Sequence, residues 1–205
     1  MKHQGRIGLV RHGQTFANID KVWHGHTDTK LTSHGYRQIK DLGDHFHHYM
    51  KPDVIYASPS QRAALTAQAI ADNYSMPVSH DSRLMEFDLG DWEGSSFDSL
   101  NGPGGTLERL IKDPDFTAPN GESQNSVKKR IVAAIEDIVR KHSEENVVIV
   151  AHGVTIAIAI SHYLEGDTTR WPQYSKDNTA FSELCLNSKR LLSYNKTDHL
   201  RATEE

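Results

Sequence analysis

Ile7-Gly8-Leu9-Val10-Arg11-His12-Gly13 and, far downstream, Val148-Ile149-Val150-Ala151-His152-Gly153 are two versions of one phrase. Each is a short apolar run, mostly β-branched, that ends in His-Gly. Runs of this length and composition predict strands buried on both faces, as in a parallel sheet. A strand that stops at His-Gly and feeds a helix leaves its histidine on the carboxyl edge of the sheet, where open α/β sheets bind ligands. The two phrases therefore predict one rim carrying both His12 and His152.

Outward from these strands the periodicity switches between two and 3.6. A first strand is expected at 6–11, then a loop rich in Asn18, Asp20, Gly25, Asp28 and Thr29. A helix over 33–49 follows, with Thr32 as its N-cap and Tyr36, Ile39, Leu42, Phe46 and Met50 as its stripe. Asp53–Ala57 reads as a strand, Ser58-Pro59 as the opening of a helix to Tyr74 with Pro59 in its first turn, and 77–79 as a short edge strand. From 80 to 123 glycine and proline crowd in and periodicity fades, apart from a short helix near 106–112. Segments this long without regular structure act as lids or stay disordered, and 95–120 is read as a lid. The glycine-rich stretch has no Gly-Lys-Ser/Thr ending and is no nucleotide loop. The clearest helix spans 123–142, striped by Val127, Ile131, Ala134, Ile135, Ile138 and Val139. An apolar helix is expected at 154–164, strands at 180–186 and 190–195, and a frayed polar tail from Lys196. Strand-helix alternation implies an α/β fold, a mostly parallel central sheet with helices on both faces, joined by right-handed crossovers.

The chain has 205 residues, enough for one domain with an elaborated lid. Its formal charge of −4 argues against nucleic-acid binding by bulk electrostatics. The single cysteine, Cys185, excludes an internal disulfide framework, and its apolar neighbours Leu184 and Leu186 predict a packing role. The N-terminal apolar run is too short for a signal peptide, and no stretch reaches membrane-spanning length. The expectation is a cytoplasmic protein, without membrane partners, that is a monomer or homodimer. Thirteen histidines are an unusual load. His24-Gly25-His26 and His45-Phe46-His47-His48 invite a metal reading, but no Cys, Asp or Glu set stands at ligand spacing, so they read as solvated surface groups.

Three strand ends now supply Arg11-His12-Gly13, Ser58-Pro59-Ser60-Gln61-Arg62 and His152-Gly153. Two arginine forks, two imidazoles and helix N-termini all suit an anion, and arginine matches phosphate oxygens with paired hydrogen bonds. Gly13 and Gly153 would let backbone approach the ligand.

Several motifs in fixed order carry a resemblance. They are Val10-Arg11-His12-Gly13-Gln14-Thr15 with Asn18, Gly25-x-x-Asp28-x-x-Leu31-Thr32-x-x-Gly35, Ser58-Pro59-Ser60-Gln61-Arg62-Ala63-x-x-Thr66-Ala67, Leu84–Gly94, Gly121-Glu122-Ser123 and Ala151-His152-Gly153. Together they resemble the histidine phosphatase superfamily, also called phosphoglycerate mutase-like, on its phosphatase branch. The resemblance implies a single domain over 1–205, a three-layer α/β/α sandwich with a lid-like insertion. It implies a histidine acid-type phosphatase, a phosphoric monoester hydrolase acting on a small phosphorylated substrate with no metal and no cofactor. His12 corresponds to the nucleophile, and Arg11, Arg62 and His152 to the pocket for the phosphate oxygens. Glu86 corresponds to the proton donor for the leaving oxygen, with Glu93 as its neighbouring competitor. Gln14, Thr15, Asn18 and the backbone N–H of Gly153 are the further substrate contacts.

Physical chemistry agrees with that assignment. Attack requires a neutral imidazole, and two nearby arginines disfavour its protonation. A poor alkoxide leaving group needs a proton, which a buried carboxylic acid can supply. A mutase and a non-catalytic phosphate-binding module are the alternatives. The mutase reading is weakened by Phe87-Asp88-Leu89-Gly90, where a basic-aromatic run is expected and where Asp88 would repel a second anionic group. The binder reading requires a broken catalytic set, and none of the five residues is missing. Phe97, Leu100, Leu107, Leu110 and Phe116 of the lid, with Trp23, either cover the core or favour substrates with an apolar or sugar-like body.

Overall fold

The computed structural model describes residues 5–101 and 106–203. Six strands form one sheet: β1 (Ile7–Arg11), β2 (Val54–Ala57), β3 (Val78–His80), β4 (Val147–Ala151), β5 (Phe181–Cys185) and β6 (Arg190–Lys196), in the order β3-β2-β4-β1-β5-β6. β3, β2, β4 and β1 run parallel, and β5 and β6 add an antiparallel edge. β1 and β4 are direct neighbours, with Gly8 opposite Val148 and Arg11 opposite Ala151. The two rhyming phrases thus lie side by side and in register, which puts His12 and His152 on adjacent strand ends.

Both faces of the sheet are covered. Ile7 and Leu9 of β1, with Val147, Ile149 and Ala151 of β4, pack against α6 (Gln124–Lys141) and α7 (Gly153–Glu165). Val10, Val148 and Val150 face the other way, onto α2 (Ser33–His45) and α3 (Gln61–Asp72). Alternation within β1 and β4 is therefore real but apolar on both sides, as a central strand requires. All five residues of β4 are buried, and each large aliphatic side chain so covered contributes roughly 1.5–3 kcal/mol. A third apolar cluster, with Trp23, Phe87, Leu89, Leu100 and Leu110, holds the 80–123 region onto Val127 and Ile158.

That region contains two 3₁₀ turns, 82–84 and 90–92, and two short helices, α4 (Phe97–Leu100) and α5 (Thr106–Lys112). Its residues 102–105, the glycine-rich tip of the expected lid, lie outside the described residues.

Several expectations are corrected. The helix at 33–49 ends at His45 and continues as a single 3₁₀ turn, Phe46–His48. Pro59 is not in a helical turn: α3 starts at Gln61 after the N-cap Ser60, whose ψ of 140° is non-helical, and the hydroxyls of Ser58 and Ser60 turn toward His152. The loop after His12 contains a further helix, α1 (Phe16–Asp20), closed by a capping box between Thr15 and Asn18. The tail is not frayed throughout. Asp198–Thr203 forms 3₁₀ turns, and His199 is buried against Tyr49 and Thr179. Cys185 is half-buried at the end of β5, while Leu184 takes the core position. Among the described residues no helix is long and apolar enough to cross a membrane, and no cluster of three or more His, Cys, Asp or Glu could hold a metal ion.

Candidate active site

At the carboxyl edge of β1 and β4 the rings of His12 and His152 stand 5.2 Å apart, tilted by 58°. Both are buried, at 5% and 0% exposure. The backbone of His12 is fixed from three sides. Its N–H donates to Ala151 O, and its carbonyl accepts from Asn178 Nδ2 at 3.0 Å and Thr179 N at 3.3 Å. Its Nδ1 lies 2.7 Å from Gly13 O. A carbonyl only accepts, so Nδ1 carries the proton and Nε2 keeps its lone pair. Burial, and then the charges of Arg62 and Arg11, hold His12 well below the usual imidazole range. The imidazole is neutral, and Nε2 is the nitrogen with an available lone pair.

His152 is neutral for the same reasons, burial first and Arg62 second. Ser58 Oγ and Ser60 Oγ lie 2.8 and 3.3 Å from its Nε2. With a serine hydroxyl donating there, Nδ1–H is the remaining donor, and it is buried without a protein partner. Arg11 Nε is buried and unpartnered as well, while its Nη1 donates to the carbonyl of Lys176. Burial draws Arg11 below the ordinary arginine value, against the opposing charges of Glu86 and Asp177. Buried donors left open in this way mark a place where a ligand supplies the acceptor.

Arg62, 2% exposed, is clamped by a loop from another part of the chain: Nη1 donates to Thr27 O and Asp28 Oδ1 at 3.1 and 3.2 Å, and Nη2 to Gly25 O at 2.7 Å. Asp28 Oδ2 also accepts from Gln61 N at 2.6 Å, capping α3 where the Ser60 side chain makes no capping bond. Loop 24–28 is in turn seated on Glu93, whose carboxylate accepts from the N–H groups of Gly25, His26 and Thr27 at 2.9–3.1 Å. Burial alone would raise Glu93, but these hydrogen bonds outweigh it and hold it below the usual carboxylate range. Glu93 is therefore a fixed part of the scaffold, and Glu86 is the carboxylate that lines the cleft.

Glu86 sits at the N-terminus of α7. Oε1 accepts from Phe87 N and Thr155 N at 2.9 and 3.0 Å and shares the Thr155 hydroxyl proton, at 2.9 Å, with Met85 O, and Oε2 accepts from Val154 N at 3.1 Å. Val154 N and Thr155 N are free amides of the first turn of that helix. Arg130 gathers the strand of chain that bears it, donating to the carbonyls of Arg83, Met85 and Glu86 while paired with Glu122. Since Glu86 takes Val154 N and Thr155 N, Gly153 N–H is the first-turn amide of α7 left for a ligand.

Of the other expected contacts, Thr15, Asn18 and Gly153 line the cleft with Arg11, His12 and Arg62. Asn18 Oδ1 already accepts from Thr15 N and Asn178 Nδ2, so what Asn18 offers a ligand is its Nδ2–H. Gln14 Oε1 accepts from Thr32 Oγ1 at 2.9 Å, which ties Gln14 to the N-cap of α2. The two glycines have different reasons for being small. A Cβ on Gly13 would lie 2.6 Å from Ile39 Cγ2, so its smallness serves the packing of α2; one on Gly153 would meet the Arg11 side chain at an ordinary 3.4 Å or more. Ser58, Ser60, Asn178 and Glu93 carry parts of the site that the sequence reading did not assign. Ser58 and Ser60 were signalled by their place between a strand end and Arg62, and Glu93 as the acid competing with Glu86, whereas Asn178 carried no signal.

The sequence profile of the histidine phosphatase superfamily (branch 1) matches residues 7–197. The chain belongs to that superfamily. Among relatives of this histidine phosphatase is the uncharacterized phosphatase PhoE of Bacillus subtilis, 30% identical over 198 residues, 95% of this chain and 96% of that protein. Phosphoserine phosphatase 1 of Hydrogenobacter thermophilus is 29% identical over 199 residues, covering 95% and 94%. Among solved structures, the phosphoserine phosphatase of Entamoeba histolytica in complex with 3-phosphoglyceric acid superposes with a TM-score of 0.86 at 29% identity, covering 96% and 99%. The fold of the histidine phosphatases, a mostly parallel six-stranded sheet flanked by helices, is the fold of this chain.

Proposed function

We propose that this histidine phosphatase is a phosphomonoesterase of small phosphorylated metabolites that works through a phosphohistidine at His12. The observation that carries the proposal is the pairing of a neutral His12, Nδ1–H fixed on Gly13 O, with open buried donors from Arg11 and His152 beside it.

In the first step the Nε2 lone pair of His12 attacks phosphorus, the ester P–O bond breaks, and Glu86 transfers a proton to the departing oxygen. Glu86 Oε1 is held by two N–H groups and the shared Thr155 hydroxyl and Oε2 by one N–H, so Oε2 is the oxygen that carries the proton. In the second step water attacks phosphorus, the N–P bond breaks, and the proton of water returns to Glu86. Charge on the non-bridging oxygens is met by Arg11, Arg62, His152 Nδ1–H, Asn18 and Gly153 N–H. These groups are preorganised by the strand ends and loop 24–28, and such electrostatic stabilisation is the main catalytic work in phosphoryl transfer. The side chains supply the positive charge, and no step is assigned to a metal.

The acid-type description belongs to the same proposal. Because burial and two arginines hold His12 far below the usual range, its nucleophilic form persists into mildly acidic solution. Hydrolysis of the monoanionic and dianionic ester then continues below pH 6.

The test is labelling with a ³²P-labelled ester quenched in alkaline detergent, together with p-nitrophenyl phosphate turnover. Trapping of label on the wild type in an acid-labile, alkali-stable form, with its loss and loss of turnover in His12→Ala, is the expected result. Turnover surviving in His12→Ala sinks the proposal. Interconversion of phosphoglycerates primed by bisphosphoglycerate, without release of inorganic phosphate, would assign a mutase instead.

A further inference from the structure

Beyond the phosphate site the cleft changes character. It encloses about 160 Å³, and its outer wall is aromatic. Trp23 stacks on Phe97 at 5.1 Å and 20°, and Trp171 lies 6.5 Å from Trp23. Val22, Ala17 and Val154 complete the apolar lining. The three aromatic side chains come from separated parts of the chain: the segment after α1, the lid helix α4, and the 3₁₀ stretch 168–174. Apart from Asn18, which is assigned to the phosphate, the uncharged or weakly basic polar side chains of the cleft are Thr15, His24, Thr29 and Ser175. His24 Nδ1 is buried without a partner.

Among the described residues lining the cleft, the formal charges are Arg11, Arg62 and Glu86 alone. The arginine forks are already anchored on carbonyls and on Asp28, and their remaining donors belong to the phosphate. A carboxylate on the leaving group would therefore enter an aromatic-walled space with no cation of its own and with Glu86 nearby. An unpaired buried charge is strongly disfavoured. Phe87, which follows the acid in the sequence, is 1% exposed in the core and offers nothing to a second anion.

We infer that the substrate of this cleft is the phosphate monoester of a neutral alcohol bearing a flat ring, which lies against Trp171, Phe97 and Trp23 while His24 gives it one hydrogen bond. The inference rests on the phosphatase reading and deepens it. It separates this chain from the amino-acid and hydroxy-acid phosphates named in its relatives.

Three alkyl esters of similar leaving-group reactivity provide the test with the full-length protein: 2-phenylethyl phosphate, O-phosphoserine and 3-phosphoglycerate. The kcat/KM for 2-phenylethyl phosphate is expected to exceed both others by at least about tenfold, the value of covering one ring face. Phe97→Ala removes a side chain that is 41% exposed on a four-residue helix, so it leaves the core intact. It should lower the ratio of 2-phenylethyl phosphate to glycerol 1-phosphate turnover severalfold, and Trp171→Ala should lower it further. Equal or reversed preference, or a ratio unmoved in both variants, overturns the inference. His12-dependent hydrolysis of p-nitrophenyl phosphate keeps the two claims apart. If it persists while phosphoserine or 3-phosphoglycerate wins, only the substrate class falls; if it is absent, both fall.

Discussion

At His12 the decisive detail is which ring nitrogen holds the proton, and Gly13 O settles it by accepting from Nδ1. The complementary detail at Glu86 is that one oxygen is fully engaged and the other has room for a proton. Glu86→Gln keeps the shape but cannot donate a proton in the same way. Its kcat on an alkyl phosphate should fall by about a hundredfold or more, the range for a lost general acid, and much less on p-nitrophenyl phosphate, whose leaving group departs unaided. Equal losses on both esters would remove the acid role. Asn178 offers a second check at this scale. Asn178→Ala frees the His12 carbonyl and Asn18 together, and removal of such buried bonds costs roughly 1–3 kcal/mol. The expected signature is a raised KM with the pH profile unmoved; a shifted profile would show that Asn178 acts on protonation instead. His12, His152, Arg11, Arg62 and Glu86 were legible in the sequence because their residue types stand at strand ends or in matched motifs. Asn178 was not, because its meaning depends on a backbone carbonyl 166 positions away in the chain.

Among elements, the one that makes Arg62 work is loop 24–28, which has no regular secondary structure. Glu93 occupies its backbone amides, and the loop's carbonyls then face the guanidinium. Glu93→Ala leaves three N–H groups without their acceptor. Stability should drop by about 1–3 kcal/mol, and KM for a phosphate ester should rise severalfold as Arg62 loses its clamp. Glu93→Gln retains one acceptor oxygen and should recover part of both losses. A thermal-unfolding series with parallel KM measurements checks this; a destabilised Glu93→Ala with unchanged KM would cut the link to Arg62. The long elements were readable from periodicity: α6 and α7 match expectation within about two residues, the usual uncertainty of helix ends. α1 and the 3₁₀ stretches were missed because five-residue helices and single turns carry no repeat to detect. The opening of α3 was misplaced because propensity favoured Pro59 in the first turn, whereas the hydroxyls of Ser58 and Ser60 are recruited by His152 across the sheet.

For the molecule as a whole, the same burial that readies the site makes folding sensitive to acid. His12 and His152 are held well below the ordinary imidazole range, chiefly by burial. His199 joins them in the C-terminal turns, lowered to about 4 by burial and by His45, against the opposing charge of Asp198. Its hydrogen bonds require the neutral ring. Tyr49 Oη accepts from His199 N and donates to Nδ1, while Thr179 Oγ1, which donates to Asn178 O, accepts from Nε2–H. In the unfolded chain each imidazole binds a proton below about pH 6.5, and in the folded chain these three do not. The unfolded state thus holds more protons, so stability is full above pH 6.5 and declines as pH falls, for His199 until about pH 4. Each such group contributes a slope of at most about 1.4 kcal/mol per pH unit. The Tm should therefore be level from pH 8 to 7 and fall steeply between pH 6.5 and 4.5, before most carboxylates titrate. His199→Gln should lower Tm at pH 7.5 through its lost bonds and yet flatten the fall below pH 6.5. A Tm independent of pH over that window, or a fall unaltered by His199→Gln, would mean that the C-terminal turns do not bury a neutral histidine against α2 and the strand edge.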